Sequence, residues 1–199
     1  ISDGDDQSKI KTTIICPPET TGHTNGVRVV SFMMSAENLI NNSYVLRKDN
    51  WENSIELYQR LIEKNRIQSI RKHLATKKTT FYNNIIVSLP PGVMFTKSDG
   101  TVVNLADIQD LTERHVIHIP NEMNSICVID GQHRIFAHYE GIDNLENDIK
   151  PLRKKFHLLV TGLIFPEEWS SYERIKYESE IFLDINSNAR PVPPDVLLF

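Results

Sequence analysis

Ser125-Ile126-Cys127-Val128-Ile129-Asp130-Gly131-Gln132-His133-Arg134-Ile135-Phe136-Ala137-His138-Tyr139-Glu140-Gly141 is the stretch from which the fold is read. Ile126 to Ile129 is a short apolar run that reads as a buried strand. Asp130-Gly131 breaks it, and Gln132 to Tyr139 reads as a helix with Ile135, Phe136 and Tyr139 inward and Gly141 at its end. A strand that turns through glycine into a helix suits an anion. The helix start exposes unpaired N–H groups, and a glycine lets the backbone approach a phosphate closely. His133 and Arg134 add charge in the first turn, Arg134 as a planar fork for two oxygens. Asp130 is placed to cap the helix, accept from Arg134 or hold a metal. The plainer reading of the same residues is structural, with Asp-Gly ending a strand and Arg134 in an ion pair.

On the N-terminal side, residues 1 to 25 form a polar leader with one short strand at Thr12 to Cys16. Val27 to Met34 reads as a strand, and Ser35 starts a helix. Apolar residues spaced by three and four from Trp51 to Leu74 predict helix, broken around Asn65. Phe81 to Leu89 is a strand stopped by Pro90-Pro91-Gly92. Met94 to Leu105 is a hairpin turning at Ser98-Asp99-Gly100, and His115 to Ile119 is another strand. On the C-terminal side, Lys150 to Lys155 reads as a basic connector and Phe156 to Ile164 as a strand. Trp169 to Ile185 reads as a helix, and Asn186 to Pro194 as a loop. Strands alternating with helices give a mixed α/β fold. It is expected to be one domain over 26–199, cut at its C-terminal end within the apolar Leu197-Leu198-Phe199.

The composition of the 199 residues (40% hydrophobic, 24% charged) supports a real core. A net charge of −4 argues against a uniformly basic nucleic-acid binder, so any DNA contact must come from a local patch. Two such runs exist. Lys64, Arg66, Arg71, Lys72, Lys77 and Lys78 form one, and Lys150, Arg153, Lys154 and Lys155 the other. Each reads as a solvated face or as a track for the phosphate backbone. Cys16 and Cys127 are far apart and fit free thiols in a reducing compartment. There is no apolar run long enough to span a membrane, and the acidic start is unlike a signal peptide, so a cytoplasmic location is expected. The seven histidines form no cluster with carboxylates at ligand spacing, and no metal site is expected. P-loop and serine-hydrolase motifs are absent from the sequence.

Three segments carry a resemblance. Ile129-Asp130-Gly131-Gln132-His133-Arg134-Ile135 resembles the signature of the DGQHR-domain family, which includes DndB of bacterial DNA phosphorothioation systems. Ile70 to Leu89, with Phe81-Tyr82-Asn83-Asn84, is similar to the segment before that signature. Phe182-Leu183-Asp184-Ile185-Asn186 with Ala189-Arg190-Pro191-Val192 is similar to a later motif, so the likeness spans roughly 65–195. The resemblance implies a ParB/sulfiredoxin-like mixed sheet flanked by helices. It places Asp130, Gly131, Gln132, His133 and Arg134 at a phosphate site, with Asn186 and Arg190 facing it from the second loop. Gln132 stands where sulfiredoxins carry a reactive cysteine, which disfavours sulfinic-acid repair. The same neutral Gln132 stands where ParB proteins carry an acid, so their metal and nucleotide do not transfer.

What the resemblance implies about function is a DNA-associated regulator, acting on transcription, or an accessory protein of a DNA-modification system. Its partners would be DNA and other proteins of that system, with no membrane. The DNA-facing set would be Arg66, Arg71, Lys72, Lys77, Lys78, Arg153, Lys154 and Lys155. The alternative is a ParB-like nucleotide triphosphatase or nuclease using a nucleotide with Mg²⁺. Asp130, His133 and Arg134 are then the catalytic candidates, and Asp130 or Asp184 the metal ligand. A third reading is a protein–protein module.

Overall fold

Along Arg28–Ser35 every second residue is buried (Val30, Phe32, Met34), the period-two signature of a strand with one face on a core. The computed structural model describes residues 9–16, 25–45, 63–108, 114–120, 122–141 and 143–188. That strand, β2, is the centre of a nine-stranded mixed sheet. Its other strands are β1 (Lys9–Cys16), β3 (Ser43–Val45), β4 (Ile85–Ser88), β5 (Met94–Thr96), β6 (Val102–Val103), β7 (Val116–His118), β8 (Ile126–Asp130) and β9 (His157–Ile164). The spatial order is β3-β8-β4-β9-β2-β1-β7-β5-β6. β2 runs antiparallel to β9 from Arg28 opposite Ile164 to Ser35 opposite His157. β4 lies between β9 (parallel) and β8 (antiparallel), and β3 is parallel to β8. β1 joins the two halves, pairing Lys9–Lys11 with β7 and Thr12–Cys16 with β2. A register shift between Thr12 and Ile14 bends it there.

Alternation in β8 decides which helices lie where. Ile126 and Val128 face one side, in a core with Phe32, Ile85, Val87, Phe95, Ile117 and Val160 drawn from both halves of the sheet. The helices α1 (Ala36–Asn42) and α3 (Gln132–Phe136) reach that core through Leu39 and Ile135. Ile129 faces the other side, against Phe182 on α5 (Ser171–Asn188). Between α2 (Lys64–Lys77) and α4 (Glu146–Lys155) lies a smaller core of Leu74, Ile149, Leu152 and Phe156.

Most predicted elements form close to their expected bounds, with local reasons for the differences. Ser35 caps α1 as expected, its Oγ accepting from the Asn38 N–H at 3.2 Å. The hairpin turns at Gly100 (φ +89°), with the Asp99 carboxylate accepting from the Thr101 N–H. The strand expected from Phe81 begins only at Ile85, because Phe81 joins the α2–α4 core and meets the His73 ring at 5.2 Å. Lys150–Lys155 is not a connector but the C-terminal part of α4. Ile149, Leu152 and Phe156 bury one helical face there, and acids at its start and bases at its end match the helix dipole. Pro151 lies inside this helix. Helix α3 stops at Phe136, and Tyr139 is half-exposed rather than inward. The helical stretch expected from Trp51 lies outside the described residues up to position 62, and Asn65 is helical rather than a break. The strand foreseen within the N-terminal leader is β1, which sits inside the sheet.

Candidate functional site

Gly131 holds φ +98° and ψ 9° between β8 and α3, a left-handed conformation that other residues adopt only under strain. A Cβ at this position would lie 2.9 Å from Ile85 Cγ1 and 3.0 Å from Arg134 Nη2. The turn therefore needs glycine twice over, for its dihedral angle and for its space. Its carbonyl accepts from the N–H groups of Arg134 and Ile135, which starts α3. With five residues α3 is barely more than one turn, so the charge here comes mainly from side chains.

Arg134 is mostly buried and its Nη2 donates to the Asp130 carboxylate at 3.1 Å, an i,i+4 pair. Its Nη1 is buried without a hydrogen-bond partner among the described residues. Burial lowers the Arg134 pKa, Asp130 opposes that shift, and the charge of Arg66 on α2 adds to it. His133 is buried too, and its Nε2 accepts from the Glu63 N–H at 3.0 Å. Burial pushes the imidazole below its ordinary value, and Arg66 adds to the effect. The ring is thus neutral with its proton on Nδ1. Asn84, next to the Ile85 that packs on Gly131, bonds Thr161 through Nδ2, while its Oδ1 is buried without a partner among the described residues. Arg66, His133 and Arg134, named separately from the sequence, thus influence one another at a single locus. Gln132 is buried beside them.

The other basic residues divide sharply. Arg71 is 4% exposed and so is not available to a phosphate backbone. Its guanidinium donates to both Asp143 oxygens at 2.7 and 2.8 Å, to the Tyr139 and Ala137 carbonyls, and to Glu146. Arg153 is likewise turned inward, bonding Glu146 and the carbonyls of His138 and Tyr139. These two arginines clamp the segment after α3 between α2 and α4. Lys72, Lys77, Lys78, Lys154 and Lys155 are exposed, as is Arg66. Two of these lysines make long surface pairs, Lys78 with Asp148 at 3.7 Å and Lys154 with Glu37 at 4.0 Å. Asn186 is not in a loop. It lies in α5, exposed, and its Nδ2 donates to the Phe182 carbonyl one turn back. Arg190 lies outside the described residues.

A family model described as DndB, DNA-sulfur modification-associated, matches residues 18–194. The chain belongs to the DndB family. No curated protein and no solved structure matches it. Membership ties this DndB-family chain to DNA-sulfur modification, and the glycine turn lies within the matched region. None of its described helices is long and apolar enough to cross a membrane.

One polar cluster of this DndB-family chain escaped the sequence reading. Register places Tyr44 and Ser88 on either side of Cys127, in one row across β3, β8 and β4. Glu178 of α5 closes over them, and Ser88 Oγ donates to its carboxyl. Burial raises the carboxyl pKa of Glu178, partly offset by Ser88 and Cys127. The Cys127 thiol and the Tyr44 hydroxyl are raised by burial as well. A thiol held in its protonated form is a poor nucleophile, so the cluster acts as a buried polar joint between sheet and helix. Glu178 stands three, four and seven residues before Ile181, Phe182 and Ile185, on the apolar face of α5, and that spacing is the signal in the sequence that could have marked it as buried.

Proposed function

We propose that this chain is a DNA-associated regulator or accessory protein of a DNA-sulfur modification system, and that its glycine turn takes a backbone phosphate. The observation that carries this reading is Arg134. One arm of its guanidinium is held by Asp130, while Nη1 has no partner among the described residues and lies under the influence of Arg66. A buried, unpaired N–H of a cation is unfavourable unless an acceptor meets it, and a phosphate oxygen is a strong one. The exposed Arg66, Lys72, Lys77 and Lys78 of α2 and its cap supply the track along which a duplex lies. The regulator reading is preferred to a nucleotide hydrolase. Asp130 is engaged by Arg134 and His133 Nε2 by the Glu63 N–H, so neither stands as an available base.

The test is duplex binding, by gel shift and calorimetry at two salt concentrations. We expect salt-sensitive binding that Arg134→Gln weakens by about tenfold or more. Replacing Arg66, Lys72, Lys77 and Lys78 together by Gln should remove it and flatten the salt dependence. Unchanged affinity in the quadruple variant overturns the proposal. Phosphate release from a nucleotide that is lost in Arg134→Gln would instead establish the hydrolase.

A further inference from the structure

Phe81-Tyr82-Asn83-Asn84 joins α2 to β4, and its two rings serve neither the Gly131 turn nor the lysine track. Phe81 is fixed by the core between α2 and α4. The imidazole of His73, exposed on α2, lies against it with the ring centroids 5.2 Å apart and the planes at 31°. Tyr82 follows Phe81 in the chain and is 98% exposed. A lone exposed ring is ordinary on a protein surface. Here the rings come with cations. Lys77 stands one turn from His73 on the same helical face, and Lys72 precedes it, both exposed. Lys78 is exposed too and shares its charge with Asp148 at 3.7 Å. No Asp or Glu occurs in the chain from Lys64 to Ser98. Tyr82 comes three residues before Ile85, so its Cα lies within roughly 11 Å of the residue that packs on Gly131.

Aromatic rings flanked by lysines suit a nucleic-acid strand whose bases are exposed. The cations hold phosphates, and each base offers a π-face to a ring. A base inside an intact duplex offers no such face, because its neighbours in the stack cover both sides. We propose, on the footing of the DNA-associated reading, that His73 and Tyr82, with Phe81 behind His73, form a stacking shelf for an unpaired DNA base. The chain then grips DNA that contains unpaired bases more tightly than intact duplex. Lys72 and Lys77 hold the phosphates that flank the base. His73 is already set against Phe81, and Phe81 against the core, so binding immobilises little at the shelf that is free beforehand.

The test is fluorescence anisotropy with the full chain and three DNAs of one length at one salt concentration. These are an intact duplex, the same duplex gapped to leave a run of unpaired thymidines, and that gap with abasic residues in place of the thymidines. The thymidine gap is expected to bind about tenfold more tightly than the intact duplex. The abasic gap, which keeps the flexibility and removes the bases, should bind no better than the intact duplex. Tyr82→Ala and His73→Ala should each reduce the preference for thymidine severalfold, and Tyr82→Phe should keep it. The ratio is read within each variant, so a general loss of DNA binding cancels. Equal affinity for the intact and thymidine-gapped DNAs overturns the shelf and leaves the duplex track standing. So does an abasic gap bound as tightly as the thymidine gap, or a ratio unchanged in both alanine variants. Failure to bind any of the three DNAs overturns the shelf and the DNA-associated reading together.

Discussion

A methyl group at Gly131 meets Ile85 on one side and Arg134 on the other, in a backbone conformation that alanine resists. Gly131→Ala is expected to destabilise the chain by about 1–3 kcal/mol, measured by urea unfolding. Gly141→Ala should act by a different route. Its Cβ would run into Arg71 Nη2, so the substitution displaces the guanidinium from its carbonyl and carboxylate partners. A loss comparable to that of Arg71→Met is therefore expected in the same measurement. The first of these glycines is legible in the sequence, since Asp-Gly between an apolar run and a helix announces a turn. The second is not. Gly141 reads as a helix cap, and its true neighbour Arg71 is 70 positions away along the chain.

The clamp between α2 and α4 shows why a run of like charges is a poor guide at the level of elements. Arg71 and Lys72 are adjacent and both basic, yet one is buried and the other exposed, because only Arg71 shares a helical face with Leu74. Arg71→Met should cost about 3–5 kcal/mol by leaving the Ala137 carbonyl and the Asp143 carboxylate without the guanidinium, again read from urea unfolding. Arg71 holds Asp143, and Arg153 holds Glu146, at a pKa of about 2, below their ordinary values of 3.8 and 4.5. A depressed carboxyl contributes stability that is fully present above its ordinary pKa and is lost as pH falls through the folded value. Acid titration of the unfolding midpoint should therefore show a decline from about pH 4 to pH 2. That decline should be missing in Asp143→Asn/Glu146→Gln. The strands, by contrast, were readable. Burial alternates along β2 and the first half of β9, while β8 is a short apolar run buried on both faces, and both patterns are strand signals. The basic end of α4 was misread because its helical period is carried by only three apolar residues.

Across the whole molecule two electrostatic trends oppose each other. Glu178 has a raised folded pKa, so its contribution is fully present below its ordinary value and falls as pH rises through the folded one. Glu178→Gln should flatten the decline in stability that sets in as pH rises above the ordinary carboxyl value of 4.5, and leave the acid-side loss from Asp143 and Glu146 in place. The net charge of −4 gives no hint of a basic face, and the exposed cations of α2 emerge only when the buried Arg71 is subtracted from the run. The architecture was legible as a mixed sheet, but not the place of β1, whose partners are set by pairing across more than 100 residues. That place matters during synthesis. β1 meets β2 at once, yet its other edge waits for β7, so a nascent chain carries an unsatisfied strand edge until His118 has been made. It matters equally to anyone who trims the protein. The family match begins at residue 18, and a truncation drawn there would remove the strand that joins one half of the sheet to the other.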